Sequence, residues 1–281
     1  MDPILISSEE IITRYKPISI NTHKGLQGHA LIIGGSYGKI GAISLASRAA
    51  LKTGCGLVSV FIPRCGYVPL QSANPEVMVL TDENENCISN IDFPFSPNAI
   101  GIGPGMGLDY NTQRAFQHFL NVNYIPLVVD ADAINGLAHN PASLYYLKTK
   151  TILTPHAKEF ERLVGTWNTD EEKINKAFEF SQKFDLILVL KGAPTLIIDG
   201  EHLYENTSGN PALATAGSGD VLTGIITSLL AQSYAAVDAA IIGVYLHGLC
   251  ADLKDRNSST QSFIASDIID KLGAAFLSLG L

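Results

Sequence analysis

Between Ala214 and Gly224 the chain reads Ala-Thr-Ala-Gly-Ser-Gly-Asp-Val-Leu-Thr-Gly: small residues run directly into an acid, and the acid into an apolar-striped segment. Apolar residues at 221, 222, 225, 226, 229 and 230 predict a helix over 220–232. The first turn of such a helix presents unpaired N–H groups and the positive end of its dipole. Gly217, Ser218 and Gly219 place almost no bulk in front of them, so these residues are candidates for an anion hole that a phosphate can approach closely. Asp220 stands at the same spot. A helix N-terminus favours the ionised carboxylate, which suits a base that takes a proton from a hydroxyl. An anion hole beside a base is the arrangement phosphoryl transfer needs. The same residues also read as a glycine-rich turn with Asp220 as an ordinary helix cap.

Five other segments carry residues with chemical potential, and each follows a short apolar run. Gly34-Gly35-Ser36-Tyr37-Gly38-Lys39-Ile40-Gly41 is one residue short of a P-loop and has Ile40 where that motif needs Ser or Thr. It is not a dinucleotide fingerprint either, because the next strand ends in Ile62-Pro63-Arg64 with no acid for a ribose. What it does predict is a tight strand-to-helix turn. Gly101-Ile102-Gly103-Pro104-Gly105-Met106-Gly107 leaves a strand almost bare of side chains, so a planar ligand can lie against the backbone. Asp130 and Asp132 sit together at a strand end, where they can order a hydrated metal, form a polar rim or cap a turn. Thr154-Pro155-His156 places a histidine between a strand and a helix, a better position for function than a core histidine has. Lys191-Gly192-Ala193-Pro194-Thr195 offers a cation for phosphate charge and a turn that can grip a nucleotide, or a plain hairpin turn.

These loops need a scaffold that brings them together. Strands are predicted at Ala30–Ile33, Leu57–Ile62, Ala99–Ile102, Leu127–Val129, Thr151–Leu153 and Leu186–Leu190, with Thr195–Ile198 as a hairpin return. Helices are predicted at Ala42–Thr53, closed by Gly54, and over 112–120, 158–164, 171–184, 220–232, 235–253 and 266–279. Alternating strands and helices imply an α/β fold, in which ligands bind beyond the carboxyl ends of the strands. No linker or repeat divides the 281 residues, so residues 1–281 read as a single domain. The net charge of −8 argues against nucleic acid as a partner, since phosphate contacts to a duplex need clustered Lys and Arg. The first residues lack a signal-peptide pattern, no run of apolar residues is long enough to span a membrane, and the four cysteines lack metal-ligand spacing. A cytoplasmic protein with reduced thiols is the expectation.

In this order, the segments resemble the NAD(P)H-hydrate dehydratase family, a branch of the ribokinase-like superfamily. The resemblance runs from about Lys24 to the C-terminal helices and rests on these loops, together with Glu159 and Ser208-Gly209-Asn210-Pro211. It implies a three-layer αβα sandwich with a mainly parallel central sheet. It also implies a repair reaction: the S-epimer of hydrated NADH or NADPH is dehydrated at the expense of ADP (or ATP), giving AMP (or ADP) and phosphate. Phosphorylation of the ring hydroxyl makes it a good leaving group, and the ring nitrogen expels it. Asp220 would be the base; Ala42, Gly105, His156 and Asp220 would contact the hydrated dinucleotide. Lys191, Gly192, Ala193, Pro194, Thr195 and Gly219 would contact the nucleotide, with Mg2+ on the donor phosphates. The resemblance further implies a homo-oligomer, commonly a tetramer. Many relatives carry an epimerase domain ahead of this one. The stretch before Gly28 is too short for it, so a separate epimerase is expected to handle the other epimer. Where the family loop often reads Gly-Gly-Met-Gly-Asp, this chain has Ala216-Gly217-Ser218-Gly219-Asp220. A small-molecule kinase of the same superfamily, acting on a sugar, a thiazole alcohol or a pyridoxine-like vitamer, is the alternative. A non-catalytic nucleotide-binding protein is a further one, against which stand Asp220 and Lys191.

Overall fold

The computed structural model describes residues 2–254 and 259–281. The chain opens with β1 (Ile4–Ile6) and α1 (Ser8–Arg14). It then alternates through β2 (His29–Ile33), α2 (Ile40–Lys52), β3 (Leu57–Ile62), α3 (Tyr67–Ala73) and β4 (Met78–Thr81). The middle of the chain gives β5 (Ala99–Ile102), α4 (Tyr110–Val122), β6 (Leu127–Val129), α5 (Ala131–His139), β7 (Ile152–Leu153), α6 (Ala157–Val164) and α7 (Asp170–Phe184). A run of strands, β8 (Ile187–Leu190), β9 (Leu196–Ile198) and β10 (Leu203–Asn206), precedes the last three helices, α8 (Ser218–Ala231), α9 (Ala236–Asp252) and α10 (Ala265–Ser278).

The strands form one ten-stranded sheet in the order β1-β10-β9-β8-β7-β6-β5-β2-β3-β4. Only β9 runs against its neighbours, the hairpin return expected from the sequence. Successive side chains point to opposite faces, and the core divides accordingly. Ala30, Ile32, Val128, Ile187 and Val189 pack with α2, α8, α9 and α10 on one face. Leu31, Ile33, Val129, Leu188 and Leu190 pack with α4, α5, α6 and α7 on the other. Strands covered on both faces read as continuous apolar runs, which is why they are legible without alternation. The architecture is the αβα sandwich expected. Among the described residues no helix is long and apolar enough to cross a membrane.

Six elements were not anticipated: β1, β4, β10, α1, α3 and α5. The three strands have three or four residues each and lie at or next to a sheet edge; exposed positions blur the pattern in β1 and β4, and polar Glu205 and Asn206 interrupt it in β10. The helices have seven to nine residues, too short for a 3.6-residue period to stand out. The predicted end of α9 stops short of residues 255–258, which lie outside the described residues.

Helix α8 is the keystone. From Val221 onward every residue of it is buried, the signature of a helix covered all round. It packs between the sheet, α2 and α9. At Gly224 a methyl group would lie 2.0 Å from the carbonyl oxygen of Ala46, so glycine lets α2 and α8 touch backbone to backbone. A long, fully packed helix holds its first turn still, and that turn carries Asp220.

Candidate active site

Strands β2, β3 and β4 run outward from β2 on one side and β5 begins on the other, so the chain reverses direction in the sheet between β2 and β5. A crevice opens at such a switch point, beyond the carboxyl ends of the strands. The two glycine loops interlock there. Gly35 N–H bonds the Pro104 carbonyl at 2.8 Å, and the Ser36 hydroxyl bonds the Gly105 carbonyl at 2.8 Å. Gly105 has φ +61, and a Cβ on it would press within 2.7 Å of the Lys39 carbonyl and 3.1 Å of the Ala42 Cβ. Ala42 and Gly105 therefore face one another across a wall made almost wholly of backbone.

Asp132 ties this wall together. Its Oδ2 accepts the Gly107 N–H at 2.9 Å and lies 3.5 Å from Lys39 Nζ, linking the loops after β2, β5 and β6. Asp130 does something different. It is 1% exposed, its Oδ1 accepts from Lys191 Nζ at 2.7 Å, and its Oδ2 accepts from the Thr223 hydroxyl at 2.7 Å. Asp130 stands at the N-cap position of α5 but its side chain makes no capping bond, and among the described residues no group of three or more His, Cys, Asp or Glu is placed to hold a metal ion. Asp132 thus tethers three loops, and Asp130 forms an internal ion pair with Lys191.

Lys191 leaves β8 next to the end of β7: its N–H bonds the Pro155 carbonyl at 2.9 Å, and His156 pairs with it as an isolated bridge. Its ammonium also lies 3.9 Å from Glu159 Oε2. Burial pulls the Lys191 pKa down, but Asp130, Glu159 and Asp220 together hold it above its ordinary value, so the cation persists. Burial pushes the Glu159 carboxyl up against the opposing pull of Lys191. A methyl group on Gly219 would lie 3.4 Å from Lys191 Nζ, which puts the ammonium beside the first turn of α8. Gly192 to Thr195 form the turn that follows, closed by the Thr195 hydroxyl on the Gly192 carbonyl at 3.1 Å.

The first turn of α8 starts earlier than the apolar stripe suggests. Gly217, in the left-handed region at φ +86, is the N-cap, so Asp220 lies inside the first turn and is not the cap. The first i→i−4 bond is Val221 N–H to the Gly217 carbonyl at 3.0 Å, which leaves the amides of Gly219 and Asp220 ahead of the helical ladder. The Ser218 N–H reaches the Thr215 carbonyl at 3.3 Å, and its hydroxyl turns inward to His247 on α9. The Ser218 amide is thus engaged, and the Gly219 and Asp220 amides stand ahead of the ladder.

Asp220 departs from the sequence expectation in one respect. The helix N-terminus does not hold it ionised: burial, with the nearby charges of Asp130 and Asp132, raises its pKa to about 7, against the opposing pull of Lys191. Desolvation is the largest cause, because the carboxyl is largely buried among packed loops. A base with a pKa near 7 is better matched to proton abstraction at neutral pH than a fully ionised carboxylate would be.

His156 is the N-cap of α6. Its Nδ1 accepts the amides of Lys158 and Glu159 at 3.1 and 3.2 Å, and Glu159 Oε2 accepts the His156 N–H at 2.8 Å, a reciprocal capping box. With Nδ1 occupied as an acceptor, the neutral ring carries its proton on Nε2, 3.4 Å from Glu159 Oε1, and the side chain stays about half exposed at the crevice rim. The fold thus brings Asp220, Gly219, Lys191 and its turn together with His156 beside Lys191, while Ala42 and Gly105 lie on the neighbouring loops after β2 and β5, tied through Gly107 to Asp132. Thr223 and His247 were not anticipated. Thr223 was readable as one helical turn beyond Gly219, whereas His247 shows only as a lone imidazole in the apolar run of α9.

Comparison with known proteins bears on the fold and the family. The sequence profile of the family described as NAD(P)H-hydrate dehydratase matches residues 30–273. A bifunctional NAD(P)H-hydrate repair enzyme of Moorella thermoacetica is 38% identical over 262 residues, covering 89% of this chain and 49% of that protein. An ADP-dependent (S)-NAD(P)H-hydrate dehydratase of Lactiplantibacillus plantarum is 33% identical over 260 residues, covering 90% of this chain and 89% of its own. The chain spans about half the length of the bifunctional relatives it matches. The crystal structure of the ADP/ATP-dependent NAD(P)H-hydrate dehydratase of Bacillus subtilis, co-crystallised with ATP and Mg2+, superposes with a TM-score of 0.86 at 28% identity, covering 99% of both chains. Fold and sequence agree, and the chain belongs to the NAD(P)H-hydrate dehydratase family.

Proposed function

We propose that this protein dehydrates the S-epimer of hydrated NADH and NADPH, transferring a phosphoryl group from ADP or ATP to the ring hydroxyl and releasing phosphate. The observation that carries the reading is Asp220: a carboxyl with a pKa of about 7, in the first turn of a buried helix, with the Lys191 cation and the Gly219 amide alongside. Asp220 takes the hydroxyl proton as the oxygen attacks the terminal phosphorus. The amides around Gly219 and the Lys191 ammonium hold the negative charge of the moving group. The nucleotide lies against the turn Gly192-Ala193-Pro194-Thr195. The reduced nicotinamide end lies along the backbone wall of Ala42 and Gly105, with His156 at the rim. The phosphorylated hydrate then loses phosphate by push from the ring nitrogen, and the conjugated dihydropyridine is restored.

Magnesium fits this site only as an ion carried in on the donor phosphates. Asp130 is already paired with Lys191 and Thr223, and Asp132 Oδ2 with the Gly107 amide, and among the described residues no group of three or more His, Cys, Asp or Glu is placed to hold a metal ion. The ion's chemistry is charge neutralisation on the phosphates. The experiment is absorbance near 340 nm on mixing the protein with hydrated NADH, magnesium and ADP or ATP. A nucleotide-dependent rise is expected. A flat trace with both, beside an active control enzyme, returns the site to the kinase reading.

A further inference from the structure

The proposed chemistry does not use the buried histidine of α9. Among the buried residues of α9, which are otherwise almost all apolar, His247 is 8% exposed. Its Nε2 lies 3.0 Å from the Ser218 carbonyl oxygen and 3.1 Å from the Ser218 hydroxyl. A carbonyl only accepts, so Nε2 carries the proton and donates to Ser218, shared between its two oxygens. Burial, helped by the positive charge of Lys191, lowers the imidazole pKa to about 4, against the pull of the Ser218 carbonyl. The ring is neutral at pH 7.

A buried polar ring costs stability that a leucine of similar size would not, unless its hydrogen bond is satisfied. Here the bond goes to the residue that starts α8. The same stretch of α9 holds the other end of the loop that leads into it. The Asp252 carboxylate accepts from Gly209 N–H at 2.7 Å and from the Asn210 side-chain amide at 2.9 Å. The Ser208 hydroxyl bonds the Tyr245 carbonyl at 2.8 Å. Helix α9 therefore grips the segment from Ser208 to Ser218 at its beginning and its end. Only the His247 grip is adjacent to Gly219.

We infer that His247 is a positioning residue: by donating to Ser218 from behind, it sets where the Gly219 and Asp220 amides stand and so tunes binding of the donor phosphates. The inference deepens the proposed function and rests on its assignment of the α8 turn to phosphate. It predicts a donor-side effect without a matching loss on the dinucleotide side. A group that merely filled space would not discriminate in this way.

The test pairs His247→Leu, which keeps the volume and removes the donor, with His247→Gln, whose amide N–H can reach the same oxygens. ADP and AMP affinities are measured by calorimetry, and thermal melts run alongside. The Leu variant is expected to melt within a few degrees of the parent, to bind ADP about tenfold more weakly and to show a nucleotide KM raised in step. The dinucleotide KM should stay within twofold, and the Gln variant should recover most of the lost affinity. ADP affinity unchanged in the Leu variant, or lost equally in the Leu and Gln variants, overturns the inference. So does a parallel rise in both KM values. Because the calorimetry needs no turnover, a parent chain that binds ADP but does not dehydrate the hydrate would sink the functional reading alone.

Discussion

The two sides of the crevice are built on opposite principles. On the side proposed for the dinucleotide the wall is backbone: Gly34, Gly103 and Gly105 would each place a Cβ within 2.7 Å of a carbonyl oxygen of a neighbouring loop, and the carboxylate of Asp132 ties those loops together. On the side proposed for the donor the wall is charge: Asp130, Lys191, Glu159 and Asp220 are buried or half-buried together, each answering another. A flat, side-chain-free wall suits a broad ring system that needs shape and few polar contacts. A buried charge network suits a phosphoryl group, whose negative charge has to be met by fixed groups at the moment of transfer. The difference teaches that substitutions on the two sides should fail in different ways, by shape on one and by electrostatics on the other.

The largest effect is expected at Asp220. Asp220→Asn should lower turnover by about two to four orders of magnitude, the usual worth of a positioned base, while ADP affinity changes little. Retained turnover would remove Asp220 from the chemistry. In the parent, kcat/KM should fall as pH drops through about 7, tenfold per unit, because the protonated carboxyl cannot act as base. Stability runs the other way. A folded pKa raised above the unfolded value means that this group's contribution is full below the unfolded pKa and is lost as pH rises through about 7. Asp220→Asn should therefore raise the melting temperature more at pH 8 than at pH 5. A gain that does not depend on pH would show that Asp220 is not the strained group.

Next in size is Lys191→Met. It removes a donor-side cation and leaves the buried Asp130 carboxylate without its charge partner, which typically costs about 3–5 kcal/mol of stability. Nucleotide affinity should fall by more than tenfold. Where the variant stays folded, the acid limb of the pH profile should move upward, since Lys191 is what pulls Asp220 down. An unmoved limb would separate Lys191 from the base. The smallest effect belongs to the rim. His156→Ala loses a capping side chain, worth about 1 kcal/mol, and should raise the dinucleotide KM by several-fold with the nucleotide KM unchanged. Equal rises in the two KM values would make His156 a helix cap and nothing more.

What the sequence by itself determined are the features written locally. Strands buried on both faces appear as apolar runs such as Leu127–Val129 and Ile187–Leu190, the glycine clusters mark the loops that leave them, and Gly217 to Asp220 carry the mark of a helix start. The loop chemistry of each segment was legible for the same reason: it depends on residue types a few positions apart. Only the tertiary structure decided what depends on residues far apart in the chain meeting in space. Asp130 meets Lys191 and Thr223 across separations of 61 and 93 residues, and His247 meets Ser218 across 29. The ionisation of Asp220 belongs with these. A helix terminus seen in sequence argues for a charged carboxylate, yet the sign of its shift is set by desolvation between α8 and the neighbouring loops, and burial is a property of packing that no local pattern encodes.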